Sequence, residues 1–144
     1  MPRSKLIEKW KKTMTDTHLD QGRKVAAQLN PQLAEQLTEQ FGGMIDGMAD
    51  SLIETAYGHY YARPGLDLKT RQLCTVAALT VLGGQTGPQL KVNIAHTLAV
   101  GATPREILEA IWQMAVYGGM PAALNGLNAA TEVFAERGVT ADQG

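Results

Sequence analysis

Three histidines, one cysteine and a few arginines and tyrosines are the side chains of this sequence with which chemistry could be done. Histidine changes charge near neutral pH, so His59 and His96 are the candidates for moving a proton; for each the plainer reading is a ring that satisfies itself at a helix end or packing face. His18 has only Asp16 and Asp20 for company and is expected on the surface. Arg71 heads an almost wholly apolar run, so its guanidinium must end beside a carboxylate, a ligand or another subunit. Arg63 precedes Pro64-Gly65 and shapes that turn, with substrate contact as a second role. Asn93 could donate to a substrate oxygen, or pack and cap its own helix. The single cysteine, Cys74, excludes an intramolecular disulfide and a multi-cysteine zinc site. Set among Leu73, Val76 and Ala77, it is expected in the core as a small apolar residue.

Residues of these kinds need a scaffold, and 144 residues are the commonest size for one domain, so 1–144 is expected to form a single core. Hydrophobic residues make up 44% and aromatics only 6%, which suits packed helices better than sheets. A formal net charge of -1 offers no field to recruit nucleic acid or an anionic membrane. Lys5, Lys9, Lys11 and Lys12 are interrupted by Glu8 and Asp16, which points to a solvated or subunit-contacting helix rather than a nucleic-acid arm. No signal-peptide pattern or long apolar span is present, so the expected location is the cytoplasm.

Helical periodicity accounts for the whole chain, giving an all-α fold of about six to eight helices. An amino-terminal helix over 3–15 carries Leu6, Ile7, Trp10 and Met14 on one stripe, and a second covers Leu19 to Leu29. Asn30-Pro31 is placed to start the next, through Leu33, Leu37 and Phe41. A further helix runs from Met44 to about Tyr61 and is stopped by Pro64-Gly65. Asp67 caps the helix that includes Leu73 to Leu82, apolar on nearly every side and therefore expected at the centre. Gly83-Gly84 ends it and Pro88 opens a helix to Gly101. Thr103-Pro104-Arg105-Glu106 is a capping box, followed by Ile107, Leu108, Ile111, Met114 and Ala115 on one face. Gly118-Gly119 and Pro121 restart the chain, with Leu124, Leu127, Thr131 and Phe134 as the last core stripe. Gly138 stops that helix, and 139–144 is expected to fray. Tyr117 belongs to the glycine turn, and Met44, Met48, Met114 and Met120 are expected in the core or lining a pliable apolar pocket.

Three segments in order carry a resemblance. They are Tyr57-Gly58-His59-Tyr60-Tyr61-Ala62-Arg63-Pro64-Gly65-Leu66-Asp67, running on through Lys69-Thr70-Arg71; Gly101-Ala102-Thr103-Pro104-Arg105-Glu106-Ile107; and Ala115-Val116-Tyr117-Gly118-Gly119-Met120-Pro121-Ala122-Ala123-Leu124-Asn125. Together, over about 45–137, they resemble the carboxymuconolactone decarboxylase family. The resemblance implies a helical protein assembling as a homotrimer or homohexamer around small-molecule sites. It also implies one of two chemistries: the decarboxylase of the protocatechuate branch of aromatic degradation, or an alkylhydroperoxidase D-type thiol antioxidant.

The thiol chemistry needs a Cys-x-x-Cys pair, one thiolate to attack peroxide and the other to resolve the sulfenic acid. The matching stretch, Thr86 to Leu90, has none, so a redox role would rest on Cys74 alone with an outside thiol. The decarboxylase chemistry implies a cofactor-independent lyase acting on a small carboxylated lactone or related acid, with no metal. Its carbanion is delocalised by the substrate, and the protein orients the carboxylate and delivers a proton. By family position, His59 stands where the decarboxylases typically have Glu, and Tyr61 where they have Trp. Asn93 occupies the place of the usual active-site His, with His96 one turn along. The resemblance thus assigns His59 and His96 to proton transfer, and Arg71, Asn93, Tyr61 and Arg63 to holding substrate. A non-catalytic member that binds a small molecule or a protein partner is the remaining reading.

Overall fold

Side-chain caps at Thr17, Asp67 and Thr103 and left-handed glycines at Gly47 and Gly138 set several of the helix boundaries. The computed structural model describes residues 2–8 and 16–142, which divide into two compact units, Met1–Gly65 and Leu66–Gly144. Among the described residues there is no strand, as an all-α fold requires. Nor is any helix among them long and apolar enough to cross a membrane. Residues 3–8 are helical, with Leu6 and Ile7 exposed. The rest of the expected amino-terminal stripe, Trp10 and Met14, and the lysines at 9, 11 and 12 lie outside the described residues.

In the first unit, helix α1 (His18–Leu29) begins one residue earlier than its apolar pattern suggested, because Thr17 caps it. The Thr17 hydroxyl accepts from the Asp20 amide at 3.1 Å, and the Asp20 carboxylate accepts from the Thr17 amide at 3.3 Å. Helix α2 (Leu33–Phe41) starts later than Asn30-Pro31 implied. The Asn30 side chain accepts from the Gln32 amide at 3.0 Å and so closes a turn ahead of the helix rather than capping it. Helix α3 (Met48–Leu52) follows, and the chain continues without a break into a π-helix, Ile53–Tyr61. One regular helix from Met44 was expected; instead Met44 and Ile45 stand exposed before α3, and the winding changes at Ile53. Among the described residues of this unit, Ala26, Leu29, Leu33, Ala49 and Ile53 are the buried apolar ones.

The second unit opens with α4 (Leu68–Val81), where the Asp67 carboxylate accepts from the Thr70 amide at 2.7 Å. A short 3₁₀ turn (Gly84–Thr86) leads to α5 (Gly87–Ala99), with Pro88 in its first turn. The Thr103–Glu106 capping box then starts α6 (Pro104–Gln113), with both reciprocal bonds present. Lys69 adds an ion pair at 3.0 Å to Glu106, and the Thr103 amide and Lys69 hold that carboxyl below its ordinary range. Helix α7 (Ala115–Gly118) is one turn, and α8 (Met120–Arg137) closes on Gly138 at φ 66. The core gathers Val76, Leu90, Ile94, Ile107, Ile111, Val133 and Phe134.

This unit departs from the expected pattern at four points. Helix α4 is not enclosed on every side: Val76 is buried, but Cys74, Ala78, Val81 and Leu82 form an exposed strip. The buried face of α8 consists of Ala122, Ala123, Gly126, Ala129, Ala130, Val133 and Phe134, whereas Leu124 and Thr131 face outward. Met120 is exposed as well, as Met44 is in the first unit. Small residues on α8 let its backbone approach the other helices, so the larger leucine is left over. Finally, Val139 packs against the core and its amide bonds the Phe134 carbonyl at 3.0 Å, so the chain stays ordered one residue past the glycine stop.

Candidate functional site

The π-helix carries a group of chemically useful side chains in the first unit. Thr55, His59, Tyr60 and Arg63 line an open cleft of about 500 Å3. Thr55 and His59 are four apart on one side of the helical backbone, and Arg63 follows two residues past its end. A hydroxyl, an imidazole, a phenol and a guanidinium thus share one opening. Such a set can take a carboxylate on the arginine and offer a proton from the imidazole. π-Helical turns are rare and occur disproportionately at functional sites.

The His59 ring lies against His18, with centroids 3.8 Å apart and planes at 23°. Two glycines permit that approach. A Cβ on Gly58 would stand 2.0 Å from the His18 carbonyl oxygen, and one on Gly22 would stand 2.4 Å from the Ile53 carbonyl oxygen. Both would clash with backbone, so α1 can lie along the π-helix only while these positions lack side chains. Asp50 and Arg23 also pair at 3.4 Å, but both are about half exposed and contribute little. Beside the cleft, Tyr61 is half-buried and meets Tyr57 edge-on at 5.5 Å. Burial, and then the neighbouring Tyr61, pushes the Tyr57 phenol up to about 12, so it stays protonated at any physiological pH.

The other sequence-predicted residues belong to the second unit. Asn93 is held in a network around the fully buried Gln72, whose Nε2 donates to Asn93 Oδ1 at 3.3 Å and to Thr97 Oγ1 at 3.4 Å. Asn93 Nδ2 in turn donates to the Gln89 carbonyl at 2.9 Å. One N–H of Asn93 is therefore committed to its own helix, as in the packing reading of that residue. His96 is 5% exposed, and burial, then the positive charge of Arg137, holds its pKa below the ordinary histidine value. Burial thus disfavours the charged form of this ring. Arg71 is half-buried in the first turn of α4. Cys74, expected in the core, is exposed, because it sits on the outward strip of α4. Among the described residues no three His, Cys, Asp or Glu side chains come together as a metal site.

The structure therefore brings His59 and Arg63 into one cleft with two residues that periodicity did not single out, Thr55 and Tyr60. It also adds His18, expected on the surface and indeed exposed, as the partner of His59. The available signal was a pair of glycines inside helical segments, Gly22 and Gly58, since interior glycine marks close backbone approach.

Residues 47–132 match the profile of the carboxymuconolactone decarboxylase family. The chain is 38% identical over 118 residues to an uncharacterised 15.0 kDa protein of Paracoccus denitrificans, covering 82% of this chain and 88% of that one. It is 33% identical over 88 residues to a 4-carboxymuconolactone decarboxylase of Acinetobacter baylyi, covering 61% of this chain and 64% of the relative. It is also 33% identical over 76 residues to a nitrosuccinic acid decarboxylase of Metarhizium robertsii, covering 53% and 52%. The chain thus spans less than two thirds of either decarboxylase it matches. It belongs to the carboxymuconolactone decarboxylase family.

Proposed function

We propose that this family member is a cofactor-independent carboxy-lyase for a small carboxylated lactone or related acid, with proton transfer at His59. The single observation that carries the reading is the cleft that His59, Tyr60 and Thr55 of the π-helix share with Arg63, just beyond its end. Arg63 binds a substrate carboxylate. The bond between the departing carboxylate and its carbon breaks, carbon dioxide leaves, and the electron pair spreads into the conjugated carbonyl of the substrate. His59, in its protonated form, returns one proton to carbon. His96 is not assigned this task, because its burial disfavours the charged form. Two relatives carry decarboxylase names, which supports the reaction class.

The test is NMR of 4-carboxymuconolactone and related lactone acids with the purified protein and with His59→Ala. Conversion by the wild type, slowed about 10²–10⁴-fold in the variant, is expected for loss of a general acid. Equal rates remove His59 from the mechanism. No conversion of any acid overturns the lyase reading. In that case the exposed Cys74 supplies the next one, peroxide consumption with an external thiol that Cys74→Ser abolishes.

We also infer self-association through the second unit. Val81, Leu82, Val116, Tyr117, Met120 and Leu124 are all exposed, and Gly118 brings α7 close against Val81. Apolar side chains gathered in this way favour a protein partner over water. Light scattering is expected to give a trimer or larger closed assembly, reduced in size by Val116→Glu. A wild-type monomer at micromolar concentration overturns it.

A further inference from the structure

We propose that His18 is a positioning residue: it fixes the plane of the His59 imidazole in the cleft by stacking against it. The proposal rests on the assignment of proton transfer to His59.

Several features converge on this ring pair. Both histidines are exposed, and among the described residues no hydrogen bond holds either ring. An exposed histidine without a partner samples several rotamers, which blurs the direction in which its nitrogens point. The stack at 3.8 Å and 23° removes that freedom for His59. His18 is itself well placed to do so. It is the first residue of α1, inside the Thr17–Asp20 capping box, so its backbone is bracketed by two reciprocal bonds. Its carbonyl lies where a side chain at position 58 would be, and Gly22, one turn further along α1, makes room for the Ile53 carbonyl. Two separate backbone positions are thus empty of side chain where α1 meets the π-helix, and the aromatic contact lies at that meeting.

Stacking differs in consequence from the more common orienting device. A carboxylate that orients a histidine occupies one ring nitrogen. A ring lying against the face occupies neither, because both nitrogens carry their proton or lone pair in the ring plane. His59 therefore keeps one nitrogen for substrate and one for exchange with water. Nearly parallel planes also direct the two rings' lone pairs side by side rather than toward one point, so the pair is not arranged to chelate a metal ion.

The experiment compares His18→Ala and His18→Phe with the wild type, with the His59 resonances assigned by His59→Gln. In the wild type the His59 Cε1 proton is expected upfield of a free histidine, from the ring current of its neighbour. His18→Ala should return it to the free position, and His18→Phe should keep it upfield. With a lactone acid that the wild type converts, His18→Ala is expected to lower kcat about ten- to a hundredfold, as loss of orientation does. KM should stay within about twofold, and His18→Phe should recover most of the rate. His18 is exposed, so unchanged denaturation curves for both variants separate the effect from folding. A His59 resonance indifferent to His18→Ala overturns the proposal. So does a phenylalanine variant as slow as the alanine one, since an aromatic face would then not be what matters. Should the wild type convert no acid at all, the lyase reading fails, while the resonance comparison still decides whether His18 fixes the ring.

Discussion

Gly58→Ala is expected to destabilise the first unit by about 3 kcal/mol or more, at the upper end of overpacking costs. The reason is what the new methyl would meet. It would stand 2.0 Å from the His18 carbonyl oxygen and 2.8 Å from its carbon, both backbone atoms that no rotamer change can move. Helix α1 would have to retreat along the π-helix, and the His18–His59 contact would be lost with it. Folded proteins hold only about 5–15 kcal/mol in reserve, so such a loss is a large fraction of the total. Urea denaturation checks it, with Gly43→Ala as control, since nothing lies within 4 Å of that added atom. The control should stay within about 0.5 kcal/mol, as isolated surface changes do. A Gly58→Ala protein as stable as the control would mean that α1 does not lie where the structure puts it.

In the second unit, Ile111→Ala is expected to cost about 3–4 kcal/mol, and adding Gly126→Ala should return about 1 kcal/mol. Ile111 is fully buried in the core, so truncating it loses apolar burial and leaves a void. Gly126 sits inside α8, directly opposite. A Cβ there would meet Ile111 Cγ2 at 2.7 Å, and Thr80 Cγ2 at 3.0 Å. In the wild type that crowding outweighs the gain in helix propensity, and Gly126→Ala alone should be destabilising. Once Ile111 is cut back, the methyl enters the space Cγ2 left and the propensity gain is realised. The same substitution thus changes sign with its neighbour. A double-mutant cycle by chemical denaturation reads this directly. A double variant less stable than Ile111→Ala alone would show that the crowding at Gly126 comes chiefly from Thr80.

The parts of the fold legible in the sequence were those dictated by local chemistry. Thr103 and Glu106 three apart, Asp67 before an apolar run, and Gly138 after one each have a single geometric use, and each is used that way. Where periodicity had to choose between faces, it was right for Ile107 and Ile111 on α6 and for Phe134 on α8, but it misplaced Leu124 and Cys74. On α8 it selected Leu124, while the true inner face is built from Ala122, Ala123, Gly126, Ala129 and Ala130. On α4 it enclosed Cys74, because a run that is apolar all round does not say which side a single unit leaves open. A 3.6-residue pattern also could not reveal the π-helix, which differs from an α-helix in its winding and not in its composition. As for the site, His59 and Arg63 were named at the outset and share a cleft. His18 was not singled out, because its role depends on closeness to a residue 41 positions away in the chain.

The π-helix has a bearing on how this chain tolerates changes in length. A segment wound with i to i+5 bonds holds more residues per turn than the α-helix into which it could relax. Between Ile53 and Tyr61 the backbone therefore stores slack. Removing one residue there can be absorbed by tightening the coil, with the flanking helix ends left in place. Because the coil tightens in step, the faces beyond the deletion keep their direction, and only the spacing within the segment changes. Thr55 and His59, four apart in the wider winding, would become three apart if the lost residue lay between them, which still leaves them on one side of an α-helix. The loss of one of these nine residues would thus spare both the course of the chain and the side on which its reactive groups stand.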